Sequence, residues 1–137
     1  MQRRRAIAVL AALPLFVAAR VAFAGSYLDR SVMLLSGARK DVETLRAKMT
    51  DKELARIVRA VAEARQSSAS DMDVPAVVAK AHPHLLLALT KVERAARSAI
   101  DGNYATVLEY IESFKREETI FRSQLKEAGH PLPAGDS

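Results

Sequence analysis

The chain has 137 residues and no cysteine, which excludes disulfide staples, thiol catalysis and Cys-x-x-Cys-His haem attachment. Its formal charge is +5, yet Arg3, Arg4, Arg5 and Arg20 all fall in the first 24 residues, which carry no acid. Setting these four aside leaves 17 of the 21 basic residues against 16 acidic ones, mixed along every segment, and this removes the electrostatic footprint of a nucleic-acid binder.

The opening reads as an address. Met1-Gln2-Arg3-Arg4-Arg5 precedes an apolar run from Ala6 to Ala19, broken by Pro14, and then Ala22-Phe23-Ala24 leads into Gly25-Ser26. Basic residues, a short apolar core and a small-x-small site predict a secretory signal over 1–24, cleaved after Ala24. An uncleaved membrane anchor is the alternative. Pro14 and Arg20 argue against it, because a spanning helix needs about 20 apolar residues. No cysteine follows the site to carry a lipid. The signal is bacterial in style, so the mature chain is expected in a periplasm or outside the cell, with no transmembrane segment.

The remainder predicts an all-α fold, an antiparallel up-down four-helix bundle over 25–131, followed by a mobile tail at 132–137. The first bundle helix spans about 26–49, with Leu28, Leu35, Ala38, Val42, Leu45 and Met49 as its seam and Val32 filling the first gap. Thr50 and Glu53 form a capping box that starts the second helix after a very short turn, which makes the two antiparallel neighbours. The second helix is expected over 51–66, with an apolar stripe of Leu54, Ile57, Val58, Val61 and Ala64. Residues 67–73, rich in serine and aspartate, are expected as a loop or frayed end.

Val78, Ala81, Leu85, Leu89, Val92, Ala96 and Ala99 form the third seam, interrupted by Pro83. Proline lacks the N–H donor and disfavours helical angles in the residue before it. The alternatives are a kink at His82, or a short helix over 75–81 before a main helix starting at Pro83. Gly102 then stops the third helix and Asn103 caps the fourth. The fourth spans about 104–128, with Tyr104, Val107, Ile111, Phe114, Glu118, Phe121, Leu125 and Ala128 in three-four rhythm. Gly129 and Pro131 end it. Glu93–Arg97, Glu112–Arg116 and Glu118–Arg122 are i,i+4 pairs that support their helices.

Three features are candidates for function. Glu118 interrupts an apolar seam, so it is either a buried acid or metal ligand, or a seam-edge carboxylate paired with Arg122. His82, His84 and His130 are all the histidines in the chain, and an up-down bundle brings them to the pole that also carries Asp71 and Asp73. Imidazoles and carboxylates gathered there would suit Zn²⁺ or Cu²⁺. Folding back about Gly102, however, leaves His130 about 10 Å from the first pair at 1.5 Å rise per residue. The plain reading is that these histidines cap helices or face water. Leu34, Leu86, Leu87 and Ile120 flank the seams; as a continuous exposed strip they would form an association surface.

A di-iron centre is excluded, since Glu127–His130 is the only Glu-x-x-His and it straddles Gly129. The layout is similar to the soluble b-type cytochromes built as periplasmic four-helix bundles, in its signal, its helix lengths and its Gly-containing turn between the last two helices. That resemblance implies haem held by a Met early in the first helix and a His near the end of the fourth. Here Met33 lies beside the seam, and Arg122 and Gln124 stand where the His is needed, so haem is not expected. With no Gly-x-Ser-x-Gly and no phosphate loop, the leading expectation is a non-enzymatic exported protein that binds or scaffolds, its partner a protein, a membrane surface or a copy of itself, with no cofactor. The alternative is a metal- or cofactor-carrying bundle built on the histidine pole.

Overall fold

The computed structural model describes residues 2–133, with side chains from Gly25 onward. The expected signal-cleavage site therefore lies outside the described side chains, and 134–137 lie outside the described residues. Among the described residues there are four α-helices and no strand: α1 (Gln2–Ala47), α2 (Lys52–Ser70), α3 (His82–Ile100) and α4 (Tyr104–Glu127), with a 3₁₀ turn at Ala76–Val78. They pack as a bundle in which α3 makes its most extensive contacts with α2 and α4, and α1 lies against all three. No helix among the described residues is long and apolar enough to cross a membrane.

Local chemistry explains the boundaries. Asp51, rather than Thr50, caps α2: its Oδ1 accepts from the Leu54 N–H at 3.1 Å. An ionised carboxylate at a helix N-terminus bonds an orphan N–H and also meets the positive end of the dipole. α2 runs on to Ser70, through residues expected as a loop, and Ala69 in its last turn is buried. Of the alternatives at Pro83 the separate helix forms: a 3₁₀ turn precedes it, and Pro83 sits in the first turn of α3, where the missing N–H costs nothing.

Both predicted glycine stops hold. Gly102 and Gly129 have φ of 75° and 81°. After α3, Asn103 N–H bonds the Ser98 carbonyl at 2.9 Å and Gly102 N–H the Ala99 carbonyl at 3.1 Å; after α4, His130 and Gly129 do the same to Leu125 and Lys126. These are Schellman closures, which need a left-handed residue. Leu132, beyond the second stop, packs against the core, and the Pro133 carbonyl accepts from Arg122 at 3.4 Å, so the start of the tail is held.

Phe114, Phe121, Leu35, Leu45, Leu85, Leu89, Ile111 and Leu125 fill the core, largely as the seams predict. Each buried side chain of this size contributes about 1.5–3 kcal/mol. Three seams differ from expectation. In α4 Tyr104, expected in the seam, is exposed. In α1 the seam also takes in Tyr27 and Ser31, both buried. In α2 the buried face is Ala55, Val58, Ala62 and Ala69, while Ile57, Val61 and Ala64 face outward. Three of the four buried side chains on this face of α2 are alanines, small groups that suit close packing against the core. Arg59 and Gln66, at the edge of that face, bond Glu93 and Thr90 of α3 at 3.2 and 2.9 Å and lock the rotation.

Each neighbouring pair of helices is also joined by a polar side-chain bridge. Asp41–Arg65 links α1 to α2, Arg59–Glu93 links α2 to α3, His84–Glu117 links α3 to α4, and Glu118–Arg39 closes the ring back to α1. Gly37 makes room for the first of these: a Cβ there would lie 2.6 Å from Arg65 Nη2.

Candidate functional site

The predicted site residues resolve into three groups. Glu118 is buried, with its Oε2 2.6 Å from Arg39 and 3.5 Å from Arg122. It pairs with Arg122 as the seam-edge reading expects, but the shorter bond comes from Arg39 on another helix. Sequence spacing marks only the partner four residues away. Glu93 is a second buried carboxylate, unmarked by the sequence because its i,i+4 partner Arg97 made it look like an ordinary surface pair. Arg97 does bond it at 2.8 Å, and Arg59 approaches from α2 at 3.2 Å. Both acids therefore sit between two guanidinium groups that supply their charge partners and tie helices together.

The three histidines take up separate tasks. His84 Nδ1 bonds Glu117 Oε2 at 2.8 Å. His130 closes the α4 terminus through its backbone N–H. The Tyr27 hydroxyl meets His82 Nδ1 at 2.8 Å, with the rings tilted at 57° and their centroids 5.7 Å apart. Burial holds the His82 imidazole below its ordinary pKa, while a bond to the Ala69 carbonyl at the end of α2 acts in the opposite sense. The neutral ring that accepts from Tyr27 on Nδ1 carries its proton on Nε2. Burial likewise pushes the Tyr27 phenol up to about 12, against the pull of the Ser31 hydroxyl one turn along. Ser31 Oγ is itself buried without a hydrogen-bond partner of regular geometry. This cluster joins α1, α2 and α3 at one pole. Among the described residues no three His, Asp or Glu side chains gather in an arrangement that could hold a metal ion.

The expected apolar strip divides. Leu34 and Leu86 are partly buried against the core, whereas Leu87 and Ile120 are exposed. The most exposed apolar side chains are elsewhere: Met33 on α1 at 75%, Ile57 on α2 at 59% and Val77 in the 3₁₀ turn at 50%, with Val61 also exposed. The exposure of Ile57 and Val61 follows from the rotation of α2. Its alanine face turns inward and its β-branched face turns out, beside α1.

An open groove of about 470 Å³ lies between α1 and the end of α2, lined by Arg30, Met33, Leu34, Ser68, Asp71 and Met72. The Asp41–Arg65 pair and the Arg65–Gly37 contact set the antiparallel register of the two helices. In that register Val61 and Ile57 follow on α2 beyond the Arg65–Asp41 bridge, outside the groove. Methionine and leucine walls with a charged rim suit the reception of apolar side chains from a partner. Comparison with protein-family models, curated proteins and solved structures finds no match.

Proposed function

We propose that this chain is an exported, non-enzymatic helical-bundle protein that binds another protein through the face formed by α1 and α2. The observation that carries the reading is the exposure of Met33 at the groove together with the outward row of Ile57 and Val61 on the neighbouring helix α2. An accessible Met and Ile on one side of a small bundle cost solubility, and a partner that covers them removes that cost. The buried acids Glu93 and Glu118 and the histidines His82 and His84 are engaged in ties between helices, which fits a scaffold whose task is to present a surface. The Arg3–Arg5 cluster, the apolar run and the Ala22-Phe23-Ala24 site support export to a bacterial periplasm or beyond.

A photo-crosslinking residue placed at Ile57 in the producing cell tests the binding reading. An adduct of defined mass is expected there and not from the same residue at Arg116 on α4, and substitution of Met33 by Glu should remove it. Equal adducts at both positions, or none at Ile57, would refute the surface. Intact mass of the recovered protein tests export, with a chain beginning at Gly25 expected.

A further inference from the structure

We infer that His82 is a pH-responsive latch: while neutral it ties the first turns of the bundle part of α1 to the end of α2, and mild acid releases those turns and widens the groove between the two helices. The latch acts on the α1–α2 face and does not depend on what binds there. His82 stands at the start of α3 and holds both neighbours. Its Nδ1 accepts from the Tyr27 hydroxyl of α1 at 2.8 Å, and its ring bonds the Ala69 carbonyl near the end of α2. Arg30, Met33 and Leu34, within two turns of Tyr27, form one wall of the groove of about 470 Å³; Ser68, Asp71 and Met72, on either side of Ala69, form the other.

The latch carries this part of α1 almost alone. Among the described residues, Tyr27–His82 is the one side-chain hydrogen bond or ion pair that joins residues 25–38 to another element. The next ties, Arg39–Glu118 and Asp41–Arg65, lie about three turns further on. Tyr27, Ser31, Leu35 and Ala38 are the buried side chains of the segment, and Ser31 Oγ has no bonding partner of regular geometry. Tyr27 is 2% accessible, so its hydroxyl cannot turn to water while the helix stays docked.

Protonation puts a hydrogen on Nδ1, which then cannot accept from Tyr27. The bond does not simply reverse, since the phenol would have to donate to Ser31 Oγ and no bond of regular geometry joins the two. The Ala69 carbonyl, by contrast, favours the cation, so the ring stays with α2 and lets go of α1. No described ion pair neutralises the charge. Asp29 and Arg30 on α1, Asp71 and Asp73 after α2, and Lys80 after the 3₁₀ turn are exposed and outside the described ion pairs, and Glu117 of α4 is taken by His84. A charge on His84 strengthens that bond, so acid tightens α3 to α4 while it loosens α1. Burial holds the docked His82 ring below its ordinary pKa, and release returns the ring to water. The released form therefore binds the proton more readily, and opening is favoured as pH falls from 6.5 toward the docked value.

The test uses the protein as processed by the exporting host. Hydrogen exchange at pH 7.5 and 5.5, corrected for intrinsic rates, should show the protection of amides 30–36 falling about three- to tenfold at the lower pH, with residues 107–121 of α4 unchanged. Spin labels at Met33→Cys and Ser68→Cys, usable because the chain has no cysteine, should report a longer distance across the groove at pH 5.5. His82→Gln, whose amide oxygen still accepts from Tyr27, should remove both responses, and His84→Gln should keep both. Tyr27→Phe should leave the segment poorly protected at either pH. Equal loss of protection in α1 and α4 means global unfolding and overturns the proposal. So does unchanged α1 protection, an unchanged groove distance, or a response that survives His82→Gln. If His82→Gln does not fold, the natural chain decides by NMR: the loss of α1 protection must share its midpoint with the titration of the His82 ring, and a separate midpoint overturns the latch.

Discussion

Removing Arg39 should destabilise the bundle more than removing the acid it pairs with. Glu118 keeps only 9% of its side chain accessible, whereas Arg39 keeps 40% and Arg122 28%. Deleting the arginine leaves a buried carboxylate with one partner, at 3.5 Å. Breaking a fully buried pair costs about 3–5 kcal/mol and an exposed pair under about 1. With Arg39 two-fifths accessible, Arg39→Met, which keeps the aliphatic stem, should cost about 1.5–2.5 kcal/mol. Glu118→Leu instead releases two guanidinium groups that can reach water and adds apolar volume to a seam already holding Phe114 and Phe121. Its cost should lie within about 1 kcal/mol of zero. The double variant should then resemble Glu118→Leu alone, because the penalty of Arg39→Met exists only while the carboxylate is present. Urea unfolding at pH 7, followed by helical circular dichroism, measures all three. If Glu118→Leu costs more than Arg39→Met, or if the two effects add, the carboxylate is doing something other than joining α1 to α4.

Other expectations follow from the same contacts. As pH falls from 7, the unfolded chain protonates its histidines near 6.5 while burial keeps native His82 neutral to lower pH. Stability should therefore drop as pH passes below 6.5 and level off below the native value. His82→Gln should show a smaller drop in urea midpoint between pH 8 and pH 5.5. At the alkaline end Tyr27 is raised from 10 to about 12, so stability should decline across that window, and Tyr27→Phe should flatten the slope. Gly37→Ala gains about 1 kcal/mol of helix propensity but displaces the Arg65 guanidinium from Asp41. It should be near neutral in the natural chain and stabilise by the full ~1 kcal/mol once Arg65 is alanine, a coupling that a double-mutant cycle reads directly. Phe121→Ala, at the core of α4, should cost about 3–5 kcal/mol in the same assay.

Local rules written along the chain determined much of this protein. Four helices, their glycine stops at 102 and 129, the Asn103 cap and most of the seams of α1, α3 and α4 were legible. Each depends on residues within one or two turns, and Gly in a left-handed closure or a three-four apolar rhythm is a property of the segment itself. The rotation of α2 was not legible. Hydropathy points to Ile57 and Val61 as the inner face, yet Arg59–Glu93 and Gln66–Thr90 hold a rotation that turns Ala55, Val58 and Ala62 inward. That choice depends on the shape and charge of a partner helix some 30 residues away in sequence. The same holds for Glu118, whose nearer partner is Arg39, and for Tyr27 with His82, separated by 55 positions. Sequence could nominate a buried acid and a histidine pole, because those residue types are rare on apolar seams. Only packing decides which cation or phenol comes within bonding distance, and it is also packing that turns the β-branched row of α2 outward and makes it a surface.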